Sequence, residues 1–468
     1  MRSFRFPLVA AVSLFAATAA AVTAVQPAAA TAFSPDLVHI HPTATHVGFA
    51  QAAPPTTAQC EAAFQVACYG APQIETAYDL PALYKRGVEG QGQTIAIVDS
   101  FGSPTIQADL NTFDTAYGLP TPKLTVIQPA GAVPPWDPTN SDMVGWAGET
   151  TLDVEWAHTI APKANILLVE TPVSETEGTT GFPEIVTAEK YVIDHHLASV
   201  ISQSFSATEQ TFPSKQSLLA LRGAYEDAYA HHVTVLAAAG DSGAADAEAD
   251  GTDNYLYPVT SWPGSDPLVT GIGGTQLSLD ANGNHTSADQ VWNDTYNVPT
   301  QQFIFGDNGP NALAGGGGKS VIFSRPSYQN GVANVVGNQR GVPDISMSGA
   351  CNGAVDVYQS FPGQPAGWYP TCGTSEATPL FSGIIALTAQ VAHHPVGLVN
   401  PALYLMSAVH APGLVDVTKG NNTVSFPQGG TTHTVQGFNA QRGYDLASGV
   451  GTVDAAKFVP ELAALSFG

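Results

Sequence analysis

Cys372-Gly-Thr-Ser375-Glu-Ala-Thr-Pro379 runs directly into the apolar stretch Leu380–Val391. A glycine-flanked serine at the start of a helix sits where the helix dipole and free backbone N–H groups stabilise developing negative charge. A nucleophile needs that position, and so does any serine that merely caps a helix. A hydroxyl nucleophile also needs a base. Glu149 and Asp153, in Gly148-Glu149-Thr-Thr-Leu-Asp153-Val-Glu155-Trp-Ala-His158, are four residues apart, so on a helix both carboxylates project from one face. Most such pairs form only a solvated acidic face. Here Leu152, Val154 and Trp156 surround the pair with bulk.

Other short motifs carry less. Ala314–Ser320 ends in Gly-Lys-Ser like a phosphate-binding loop, but Leu313 stands where the first glycine belongs, so a glycine-rich surface loop is the better reading. Gly240-Asp241-Ser242-Gly243 is similar to the nucleophile region of trypsin-like proteases, yet Ala244 replaces the second glycine that should follow. The His-His pairs beginning at His195, His231 and His393 lack metal-ligand partners at useful spacing, and helix ends account for them.

The elements that must position these residues alternate. Thr94–Val98, Ala164–Val169, Ser199–Ser204 and Thr234–Ala239 are short β-branched runs that predict strands. Between them Ser103–Tyr117, Gly148–His158, Phe182–His196 and Ser214–His231 predict helices, and a last strong helix runs from about Ser375 to His393. This alternation implies βαβ units and an α/β fold: a doubly wound, mainly parallel sheet with helices on both faces. Sites in such sheets lie at the carboxyl ends of the strands. It also contradicts the all-β fold of trypsin-like proteases.

Composition narrows the function. The chain has 468 residues, 44% of them hydrophobic, with 15 Lys and Arg against 39 Asp and Glu. The net charge of −24 repels phosphate backbones and anionic lipid, which argues against nucleic-acid and membrane partners, and it suits work at low pH. Arg2 and Arg5 before the apolar run Leu8–Val22, with Ala28-Ala29-Ala30 after it, predict a signal peptide over 1–30 and a secreted, extracellular protein. Residues 31–70 read as a short leader or vestigial propeptide, flexible up to about Thr57, with the main domain over 71–468. Of the three ways to pair four cysteines, Cys60–Cys68 with Cys351–Cys372 is the simplest.

The wider Gly-Thr-Ser-x-x-x-Pro pattern matches subtilisin-like folds at their nucleophile, but the His-Gly-Thr-His segment that normally holds the subtilisin base is absent. Taken with Glu149 and Asp153, the chain from about Ala71 onward resembles the sedolisins, or serine-carboxyl peptidases, in which a Glu–Asp pair replaces that histidine. The resemblance extends to Ala-Gly-Asp241-Ser-Gly, Tyr257-Pro-Val-Thr-Ser-Trp-Pro with Val269-Thr-Gly-Ile-Gly-Gly-Thr275, Arg340-Gly-Val-Pro-Asp344, Asp416-Val417-Thr and Gly443-Tyr-Asp445-Leu-Ala-Ser-Gly. It implies a subtilisin-like fold with Ser375 as nucleophile, Glu149 as general base, Asp153 sharing its proton and Asp241 as the acid facing the oxyanion. It also implies one structural calcium ion held by the side chains of Asp416 and Asp445 and the carbonyls of Val417, Gln441 and Gly443. Gln441 stands where the family pattern has glycine, and Ser204-Phe205-Ser206 lacks the glycine expected in the strand that pairs with substrate. The expectation is a monomeric, acid-acting endopeptidase with polypeptide substrates. A tripeptidyl-peptidase and a catalytically dead binding protein stay open as alternatives.

Overall fold

The computed structural model describes residues 45–466; the expected signal peptide lies outside them. In chain order, the strands that matter are β1 (Thr45–His46), β2 (Cys68–Tyr69), β3 (Thr94–Ser100), β4 (Leu124–Ile127), β5 (Asn165–Thr171), β6 (Val200–Gln203), β7 (Thr234–Ala238), β8 (Thr270–Gln276), β9 (Gln290–Val291), β10 (Ile345–Ser348), β11 (Ala354–Gln359) and β12 (Gly367–Cys372). The helices are α1 (Thr57–Phe64), α2 (Ile106–Tyr117), α3 (Ser141–Ile160), α4 (Phe182–Asp194), α5 (Gly223–Ala230) and α6 (Thr374–Ala392).

Eight strands form the main sheet, in the order β9-β8-β7-β6-β3-β5-β4, with β10 also on β8. All its pairings are parallel except β8 with β9. From β3 the chain passes to the edge strand β4, returns through β5 and then continues on the other side of β3 through β6, β7 and β8, so the winding switches beside β3. Period-2 alternation along β3 divides the core. Ile95 and Ile97 face a cluster holding Leu152 and Trp156 of α3 and Leu380 and Ile384 of α6, whereas Ala96 and Val98 face one holding Phe182 and Val192 of α4 and Tyr225 of α5. This is the expected α/β architecture with both faces covered.

Three boundaries differ from the sequence expectation, each for a local reason. Helix α3 begins at Ser141 rather than Gly148, because the Asn140 side chain accepts hydrogen bonds from the N–H groups of Asp142 at 2.9 Å and Met143 at 3.2 Å. The single helix expected over Ser214–His231 is two pieces, Lys215–Leu219 and α5. Arg222, between them, is held by Asp266 through Nε at 2.6 Å and Nη2 at 2.9 Å. The described part of the expected leader, residues 45–70, packs on the domain: β1 and β2 are the outer strands of a second sheet, β1-β12-β11-β2. Helix α1 is closed by a capping box between Thr56 and Gln59, and both expected disulfides, Cys60–Cys68 and Cys351–Cys372, are formed. All four cysteines share one buried cluster with Phe64 and Trp292.

Candidate active site

Helix α3 is buried almost throughout, so its polar residues must be satisfied by protein groups or held neutral. Glu149 and Asp153 are both fully buried, one turn apart. Helix α6 packs across α3 where Gly383 meets Ile160; a Cβ on Gly383 would lie 2.5 Å from that of Ile160, and only glycine permits the approach. The crossing brings the first turn of α6 to the carboxylate-bearing face of α3.

Ser375 sits in that first turn, after Gly373, whose φ of +132° turns the chain out of β12 and into the helix. Pro379 has no N–H to give the Ser375 carbonyl in the helical pattern. Ser204, just past β6, fills the gap: its Oγ lies 3.4 Å from that carbonyl oxygen, while Ser375 Oγ donates to the Ser204 carbonyl at 3.5 Å. Ser204 Oγ also donates to Asp153 Oδ1 at 2.8 Å. One hydroxyl proton cannot serve both acceptors. A neutral Asp153 would donate to Ser204 and free that proton for the Ser375 carbonyl.

Asp241 follows β7 and reaches the same turn. Its Oδ1 accepts hydrogen bonds from Thr374 N at 2.8 Å and Thr374 Oγ1 at 2.7 Å, and its Oδ2 is enclosed without a partner among the described residues. Enclosure pushes its pKa up to about 7, against the pull of the two Thr374 bonds and with help from the Asp246 charge, although part of the residue stays accessible. The structure therefore gathers Ser375, Glu149, Asp153 and Asp241 at one end of the main sheet. His195, His231 and His393 lie elsewhere, at helix C-termini as expected.

Sequence reasoning missed Asp99. It lies near the carboxyl end of β3, beside the switch point, and is fully buried, with neither oxygen in a well-formed hydrogen bond among the described residues. Burial raises its pKa from the ordinary 3.8 to about 7, with the Thr150 hydroxyl opposing and Glu170 adding to the rise. Asp153 is held well above the usual carboxylate range by burial first, then by the Asp99 and Glu149 charges, with Ser204 opposing. The Asp99 charge thus acts on Asp153. An acid one residue beyond the predicted strand Thr94–Val98 was the available signal.

The segments expected to bind calcium also converge. Asp416 accepts from Gly443 N through Oδ1 at 3.2 Å and Oδ2 at 3.1 Å. Asp445 accepts from Gln441 N through Oδ2 at 2.9 Å and from Ala447 and Ser448 through Oδ1. No group of three or more acidic, histidine or cysteine side chains able to hold a metal occurs among the described residues, so carbonyls must complete any site. The carbonyl oxygens of Val417, Gln441 and Gly443 accept no hydrogen bond among the described residues. The two carboxylates, engaged here by backbone N–H groups, and the three uncommitted carbonyls are oxygen donors only, the chemistry that a calcium ion takes.

The chain is similar to known proteins. The family model described as "Subtilase family" matches residues 141–430. Kumamolisin of Bacillus sp. (strain MN-32) is 32% identical over 395 residues, covering 82% of this chain and 62% of the relative. Human tripeptidyl-peptidase 1 is 29% identical over 238 residues, covering 48% of this chain and 36% of the relative. The chain therefore spans less than two thirds of the length of these relatives. Among solved structures, Pseudomonas sedolisin, a serine-carboxyl proteinase complexed with two molecules of pseudo-iodotyrostatin, superposes with a TM-score of 0.69 at 26% identity, covering 86% of this chain and all of that one.

The raised carboxyls predict how stability follows pH. An unfolded Asp99 ionises near 3.8 and a folded one near 7, so between those values the folded state holds more protons. Stability is then fully present below the lower value and is lost as pH rises towards the upper one. The melting temperature should fall between pH 4 and pH 7, and Asp99→Asn should make that fall shallower. A melting temperature that rises towards pH 7 would contradict the assignment.

Proposed function

The chain belongs to the subtilase family, in its sedolisin branch, and from that membership we propose that it is an acid-acting serine-carboxyl endopeptidase. Ser375 Oγ attacks the peptide carbonyl as Glu149 takes its proton, and a bond forms from the oxygen to the acyl carbon. Asp153 shares a proton with Glu149, because two buried like charges at this spacing cannot both ionise cheaply. The carbonyl oxygen takes up negative charge and is met by the proton on Asp241 Oδ2, since only a neutral carboxyl can donate there. Glu149 returns its proton to the leaving amine, and water repeats the sequence on the acyl-enzyme. The observation that carries this reading is the uncommitted Oδ2 of Asp241 beside the first turn of α6.

A second reading, release of tripeptides from free N-termini, is favoured by the similarity to tripeptidyl-peptidases. Paired peptides with free and blocked N-termini separate the two. The signal-like N-terminus supports export, and no described helix is long and apolar enough to cross a membrane. Polypeptide substrates and a monomeric state complete the proposal.

Asp416, Asp445 and the carbonyls of Val417, Gln441 and Gly443 would hold one calcium ion, whose charge would tie the loop before α7 (Ala455–Leu465) to the segment at Asp416. The ion has no part in the reaction steps.

Two outcomes follow. Ser375→Ala should lower kcat by roughly 10⁴-fold or more while the chain stays folded, and Glu149→Gln should do nearly the same, because members of a catalytic unit act together. Undiminished hydrolysis by a pure Ser375→Ala preparation would remove the nucleophile assignment. Excess chelator should lower the melting temperature, since an ion bound only to the folded state stabilises it by mass action. An unchanged melting curve, with no metal found by elemental analysis, would leave Asp416 and Asp445 as turn caps.

A further inference from the structure

We propose that His46 is a positioning residue for this site: from β1 it ties the strand that delivers Ser375 to the helical turn that carries Glu149. The inference rests on the serine-carboxyl reading and extends it to a residue outside the span matched by the family model.

Strand β1 pairs antiparallel with the end of β12, Thr45 opposite Cys372 and His46 opposite Thr371. Thr371 lies one strand-end and one turn before Ser375. His46 Nδ1 is 2.8 Å from Thr371 Oγ1, and its ring stacks on Tyr369 at 4.6 Å between centroids. The Thr371 hydroxyl also lies 3.2 Å from the Tyr369 carbonyl, so the two side chains are bonded whichever of them donates: Nδ1 to a hydroxyl turned to that carbonyl, or the hydroxyl to Nδ1 of a ring protonated on Nε2. Nε2 faces helix α3. A Cβ on Gly148 would lie 3.9 Å from His46 Nε2 and 3.6 Å from Gln359 Oε1, so the imidazole rests against the backbone immediately before Glu149.

Backbone bonds hold this segment to β12, from Val47 N to the Pro370 carbonyl at 2.9 Å and between Gln51 and Trp368 in both directions. The His46 side chain adds a contact of its own, and it touches both elements whose separation sets the distance from nucleophile to base. Desolvation lowers the His46 pKa to about 4, with Gln359 opposing, so the ring stays neutral and keeps its bond to Thr371 over most of the acid range. Displacements of about 1 Å at such a site cost on the order of a hundredfold in rate.

The test compares His46→Ala, His46→Asn and His46→Gln in the full chain, reading kcat, KM and melting temperature on a chromogenic peptide in acid. His46→Ala should lose roughly ten- to a hundredfold in kcat with KM within about twofold. His46→Asn, whose amide overlies Nδ1 and can donate to or accept from Thr371, should recover most of that loss; His46→Gln, whose amide falls near Nε2, should not. A folded His46→Ala with wild-type kcat would overturn the inference. So would Asn and Gln variants impaired alike in kcat and melting temperature, which is the result for packing alone, and this contrast decides the matter should the alanine variant not fold. A wild-type chain that cleaves nothing removes the serine-carboxyl reading and this inference together, whereas an active wild type with an unaffected His46→Ala removes this inference alone.

Discussion

Carboxyl groups taken out of water without cations cannot all remain anions. Eighteen Asp and Glu side chains are buried among the described residues, against one arginine and no lysine. That arginine is already committed: Arg340 meets Asp344 through Nη1 at 2.7 Å and Nη2 at 2.5 Å, and Tyr404 adds a hydrogen bond to the same carboxylate at 2.9 Å. Asp266 is met by the partly buried Arg222, and the other interior acids must be neutral or held by hydrogen bonds. Burial accordingly raises Asp99, Asp153, Glu155, Glu175, Glu189, Asp356 and Glu376 alike.

The candidate site is the local form of that constraint. A base and an oxyanion donor normally need groups of different chemistry, such as imidazole and amide. In a medium that keeps carboxyls protonated, one residue type can serve both ends. In the proposed mechanism Asp241 would serve as the donor, being enclosed and only half engaged by Thr374, and Glu149 and Asp153 would share a proton on one helical face. The α3–α6 crossing at Gly383 and Ile160 holds the two halves together.

Much of this was legible in the amino-acid order. Ser375 announces itself through its glycine-rich approach and the apolar run behind it, and Glu149 with Asp153 through helical spacing. The main strands showed because buried parallel strands read as unbroken β-branched runs. What escaped were interactions without a period. Asp99 has no near neighbour in sequence to mark it, and its relation to Asp153 exists only once β3 and α3 are packed. The segment 45–70 has Pro- and Ala-rich loops and strands of two residues, and His46 meets a partner 325 residues away. Asn140 moved the start of α3 because a cap acts on the turn it closes, upstream of the hydrophobic signal.

The most direct test of the account is the pH–rate profile of the wild type beside that of Asp241→Asn, with folding followed at every pH. The account predicts a wild-type optimum in acid and a decline towards neutrality, as Asp241 loses the proton it donates near its raised pKa of about 7. The asparagine variant, with a donor that does not titrate, should be weaker at the optimum and should lose less on the alkaline side. A wild-type optimum at or above pH 7 in the folded protein, or identical alkaline limbs in the two enzymes, would contradict it.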